Sequence, residues 1–113
     1  MGLGEKQKIF TRNIAELIAW AYNMGYELTV GDAYRDKRSH GAMGTRLAYG
    51  RPDSLHKQRL AMDFNLFKDG IYQKTTEAHR PLGDYWESLH PDNAWGGHFN
   101  DGNHYSMTHD GRR

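Results

Sequence analysis

Two short stretches carry residues that can do chemistry together. "SLHKQRLAMDFNLF" (54–67) holds His56 and Asp63, and "NDGNHY" (100–105) holds Asp101 and His104. From Ala61 onward the first stretch alternates as a half-buried strand does. Met62, Phe64 and Leu66 share one face; Ala61, Asp63, Asn65 and Phe67 share the other. An aspartate between Met62 and Phe64 is disfavoured in a strand and needs a partner. An extended chain would hold His56 roughly 20 Å from Asp63, so they meet only if the chain turns back through Lys57, Gln58 and Arg59. Asp101 and His104 form a D-x-x-H pair. A continuous strand would point them to opposite sides, but Gly102 and Asn103 permit a turn that brings both to one site.

Two histidines and two carboxylates match a specific chemistry. Catalytic zinc is commonly held by three N or O ligands with one position open for water. A fourth, unligated carboxylate can then take a proton from that water. The chain has no cysteine, so any metal must be held by His and carboxylates, and seven histidines are a generous supply. The residues alone leave two readings open. One is a His/Asp metal site; the other is a structural polar network, since Asp in an NDGN stretch also serves ordinary turn chemistry. His40, His79, His90, His98 and His109 lack partners at ligand spacing, and most of them are expected at the surface. Trp95 either packs the sheet or walls a substrate groove.

The elements that must position these residues are legible in outline. Ile9, Phe10, Ile14, Leu17, Ile18, Ala21 and Met24 recur at helical spacing, and Gly25 stops the run. The charged start "EKQK" reads as a solvated face. "YELTVGDAYR" reads as a strand centred on Thr29 and Val30. Residues 36–53 hold three Gly and one Pro without a period, which predicts a long loop. A strand from Leu60 to Phe67 then meets "IYQK" through an Asp-Gly hairpin turn. Pro81 opens a second helix with Leu82, Tyr85, Trp86 and Leu89 on one face, and a short strand is expected at "HYSM". This order predicts an α+β fold, a small antiparallel sheet with flanking helices.

A chain of 113 residues is read as one catalytic domain spanning 1–113. Lys and Arg number 15 against 14 Asp and Glu, so no strong field draws it to nucleic acid or an anionic membrane. No apolar run is long enough to span a membrane, and "MGLGEKQKIF" has no h-region of a signal peptide.

The ordered set S-L-H-K-Q-R-L-A-M-D (Ser54 to Asp63), W-G-G (Trp95 to Gly97) and D-G-N-H-Y (Asp101 to Tyr105) resembles a family of zinc peptidases. These are the D-alanyl-D-alanine carboxypeptidases and dipeptidases, which include VanX, VanY and phage L-alanyl-D-glutamate endolysins. The family pattern is S-x-H-x-x-G-x-A-x-D, then W-G-G, then E or D-x-x-H, and the likeness spans roughly residues 26 to 107. It implies a fold of the Hedgehog/DD-peptidase type and one zinc per chain. His56, Asp63 and His104 would be the ligands and Asp101 the general base. Arg35 would bind substrate and stabilise the oxyanion, with Ser54 and Trp95 on the substrate side. Two positions depart from the pattern: Arg59 stands where the family has Gly, and Ser106 follows "HY" where many members have an acidic or amide residue nearby. Asp rather than Glu at position 101 leans towards the endopeptidase branch.

The resemblance therefore implies a monomeric endolysin, made in the host cytoplasm without a signal peptide and acting on the bacterial cell wall. Its substrate would be a bond of the peptidoglycan stem peptide, L-alanyl-D-glutamate first. The alternatives are a D-Ala-D-Ala carboxypeptidase or dipeptidase, or a non-catalytic, zinc-stabilised phage structural module. The last of these has no use for Asp101.

Overall fold

The computed structural model describes residues 2–31 and 58–109. The expected loop over 36–53, and with it Arg35, Ser54 and His56, lies outside the described residues.

The first helix, α1, runs Leu3–Asn23 and buries Phe10, Asn13, Ile14, Leu17 and Ala21. It ends where Gly25 takes φ +92°, a conformation that costs glycine nothing. Strand β1 (Tyr26–Val30) follows, then β2 (Ala61–Lys68) and β3 (Ile71–Gln73). Asp69 and Gly70, at φ +54° and +77°, make the tight turn between β2 and β3 that Asp-Gly favours. A 3₁₀ turn at Glu77–His79 leads into α2 (Arg80–Leu89) with Pro81 in its first turn. Strand β4 (Asn93–Trp95), a second 3₁₀ turn (Gly96–Phe99) and β5 (His104–Met107) complete the described order.

The α+β architecture with an antiparallel sheet stands as expected, and β4 is an added strand. The sheet order is β1-β2-β5-β4, with β3 on β2. One edge of β2 pairs with β1 from Phe64 to Lys68. Its other edge is shared: β3 covers Leu66 to Lys68, and β5 covers Ala61 to Asp63. That division leaves a seam between β3 and β5.

Both described helices pack on the face that carries Phe64, Tyr105 and Met107. Phe10 meets the Trp86 ring edge-on at 5.6 Å, and Trp86 meets Tyr105 at 6.2 Å. Trp86 also donates its indole N–H to the carbonyls of Ala94 (3.1 Å) and Ser106 (2.9 Å), which ties α2 to β4 and β5. Fully buried Leu17, Leu60, Leu66 and Leu82 add about 1.5–3 kcal/mol each. Tyr85 stacks on Trp20 at 4.7 Å. The helix start is less solvated than its charge suggests: α1 begins at Leu3, and Lys6 reaches the Thr108 carbonyl and the Asp92 carboxylate. Among the described residues no helix is long and apolar enough to cross a membrane.

Arg59 sits just before β2 at φ +59°, exposed. A left-handed backbone costs a non-glycine residue about 1–2 kcal/mol, which explains why glycine suits this position. Glycine gives back about 0.5–1 kcal/mol through the entropy of the unfolded chain. Arg59→Gly is therefore expected to stabilise the protein modestly, by up to about 1 kcal/mol. Chemical denaturation checks this; a clear loss of stability would contradict it.

Candidate active site

Strands β2 and β5 pair in a register that sets Asp63 opposite His104. Alternation turns both side chains to the sheet face away from the helices, because their neighbours Phe64 and Tyr105 fill the core. His104 Nδ1 lies 3.1 Å from Asp63 Oδ1, with the side chains 17% and 10% exposed. The mid-strand aspartate has the partner its position demands.

Asp101 lies on the turn that feeds β5, and this turn is held through its backbone. Asp101 N–H donates to the Gly96 carbonyl (2.9 Å), and its own carbonyl accepts from His104 N–H (3.1 Å). The Asn103 carbonyl accepts from Phe64 N–H (2.9 Å), locking the turn to β2. Gly102 N–H donates to Thr76 Oγ1 (3.2 Å), and the Gly102 carbonyl accepts the indole N–H of Trp95 (2.7 Å). The Asp101 side chain itself remains exposed.

W-G-G is the mould for this turn. A Cβ on Gly96 would stand 2.3 Å from the Asp101 carbonyl oxygen and 2.8 Å from His104 Cβ. Added Cβ atoms on Gly83 and Gly97 would each come within 2.2 Å of the Trp95 indole. Trp95 is 1% exposed and clamped between these glycines, so its buried ring positions the turn by packing. That is the first of the two roles open to it. Glu87 accepts the Trp95 backbone N–H (2.9 Å) and meets His98 Nε2 (3.0 Å), so it anchors the motif from α2.

His79 is a correction. Grouped with histidines mostly expected at the surface, it is 4% exposed, and its Nδ1 lies 2.7 Å from the Tyr105 hydroxyl. Burial pushes its pKa down to about 4, so the ring is neutral at pH 7. The unfolded chain takes up this proton near 6.5 and the folded chain does not. Stability is therefore intact above about pH 6.5 and falls towards pH 4, by on the order of 1 kcal/mol per pH unit. Melting curves across that window should show a steeper acid slope for the wild type than for His79→Gln; equal slopes would contradict the assignment. No local pattern announces this residue, because its partner is 26 positions away.

His79 and the Asp101 turn also line a cleft of about 190 Å³ at the seam between β3 and β5. Gln73, Lys74, Thr75 and Thr76 form its other wall. Among the described residues, no group of three His, Cys, Asp or Glu side chains is placed to hold a metal ion. Asp63 and His104 come together; Asp101 adjoins them through the turn; His56, Arg35 and Ser54 lie outside the described residues.

The fold, a small antiparallel sheet with helices on one face, has counterparts among solved structures. No protein-family model matches the chain, and no curated protein does either. The fold is similar to the crystal structure of Serratia marcescens L-Ala D-Glu endopeptidase ChiX, with a TM-score of 0.64 at 16% identity. The match covers 88% of this chain and 77% of that one.

Proposed function

We propose that this protein is a zinc-dependent peptidoglycan peptidase that hydrolyses a bond in the stem peptide, L-alanyl-D-glutamate first. The observation that carries the reading is the 3.1 Å approach of Asp63 and His104 across β2 and β5 on this fold. Their placement fits a metal: two ligands each about 2.0–2.1 Å from a tetrahedral zinc stand about 3.3 Å apart. An oxygen and a nitrogen donor suit zinc in a chain without cysteine. His56 is the proposed third ligand, on the strength of the S-x-H motif. When bound, zinc supplies Lewis acidity and lowers the pKa of water at the site.

The chain's own residues then divide the work. Asp63 and His104 are set side by side by the β2–β5 ladder and would be two of the residues that hold the metal. Asp101, exposed on its turn, takes the proton of the attacking water and returns it to the leaving amine. Arg35 is the proposed donor to the carbonyl oxygen as charge develops there. The W-G-G mould keeps Asp101 and His104 at a fixed spacing through Gly96. The ChiX likeness supports this reading through its fold, and the activity for which ChiX is named suggests the substrate class.

Elemental analysis of protein purified without added metal, run beside a wall-lysis assay, tests the proposal. One zinc per chain with lytic activity is expected. A metal-free protein of full activity would contradict it.

A further inference from the structure

We infer that the cleft between β3 and β5 binds the leaving-group residue of the substrate through a free carboxylate on the carbon that bears the leaving amine, with Lys74 and His79 as its recognition residues. This inference rests on the peptidase reading.

Asp101 lies in the cleft lining and protonates the leaving amine in the mechanism above. The residue that carries that amine must therefore sit against Asp101, and the cleft begins there. Its lining is bipolar. Among the described lining residues Asp101 supplies the one carboxylate and Lys74 the one ammonium, and Thr75, Thr76, Asn100 and Asn103 add further polar groups. An amine and a carboxylate on one carbon have the same polarity, with the amine towards Asp101 and the carboxylate towards Lys74.

His79 adds a fixed donor. The buried Tyr105 hydroxyl has Nδ1 of His79 as its partner at 2.7 Å, and its proton needs an acceptor. Assigned from this network, Nδ1 accepts and the ring proton lies on Nε2, the nitrogen left for the cleft. A neutral imidazole held in that tautomer donates to a carboxylate without bringing a charge that must be desolvated. Tyr105 is thereby a positioning residue for His79, as well as core.

Two leaving groups share this chemistry. One is a D-glutamyl residue that continues through its side-chain carboxyl and keeps its other carboxylate free. The other is a C-terminal D-alanine. Four peptides separate them: an L-Ala-D-Glu peptide, a D-Ala-D-Ala peptide, and the carboxamide of each at the free carboxylate. The wild type should prefer the acid over the amide by about tenfold or more, expressed in KM rather than kcat. The pair that is cleaved identifies the source. Lys74 is exposed, so Lys74→Met should fold normally and bring the acid-to-amide ratio close to one. His79→Gln, which keeps a hydrogen-bonding side chain, should raise KM for the acid more than KM for the amide. Equal wild-type rates for acid and amide, or an undiminished preference in Lys74→Met, would overturn the inference and leave the peptidase reading standing. Cleavage of none of the four would overturn the peptidase reading and this one with it.

Discussion

Asp101→Asn is expected to keep the fold and the metal while turnover falls by about 10²- to 10⁴-fold, the usual contribution of a general base. The structure makes this a clean test. The turn is held by the backbone of Asp101, through its N–H to Gly96 and its carbonyl to His104. An asparagine offers the same backbone and nearly the same volume, so turn geometry should survive. What it cannot do is accept a proton from water. Zinc content, melting temperature and lytic rate measured on the one variant separate the two roles. A zinc-loaded Asp101→Asn with near wild-type turnover would remove Asp101 from the mechanism.

His104→Ala should fail in the opposite way, with loss of metal as the cause of lost activity. His104 is paired across the ladder with Asp63 at 3.1 Å. Deleting a ligand costs more than the 10- to 100-fold typical of a supporting residue, so zinc affinity should fall by more than about 100-fold. Asp63 is 7% exposed and loses a charge-bearing contact, so stability should drop by about 1–3 kcal/mol as well. Competition with a chromophoric chelator reads the affinity. Unchanged zinc binding in His104→Ala would show that this histidine is not a ligand.

The contrast between these variants turns on positions three residues apart, and the amino-acid sequence alone points to both. Asp63 stands out because strand alternation places an acid where apolar or β-branched residues belong, and the fold supplies His104 opposite it. The strand at His104–Met107, the hairpin at Asp69 and Gly70, and α2 after Pro81 are legible for a related reason: each is set by local periodicity or turn chemistry. Strand β4 is not. Asn93–Trp95 is only three residues long, too short for alternation to show, and a Gly-Gly pair follows it. It exists because β5 and the Trp86 indole offer its backbone partners.

The cleft is hidden from the sequence for the same physical reason. His79, Lys74 and Asn103 are brought together by the seam where β3 leaves β2 and β5 takes over, and that seam is a property of pairing. Trp95 shows the limit of a motif. W-G-G is readable as a unit, but its packing role depends on Gly83, which α2 brings against the same ring.

Hydrolysis of a stem-peptide bond by the site at Asp63, Asp101 and His104 is the central claim. Mass spectrometry of muropeptides after digestion of purified peptidoglycan by the zinc-loaded protein tests it most directly. The expected products carry a new D-glutamyl amino terminus, with L-alanine left on the glycan side, and Asp101→Asn should fail to produce them. Peptidoglycan recovered with every stem-peptide bond intact, or cut equally well by Asp101→Asn, would contradict that claim.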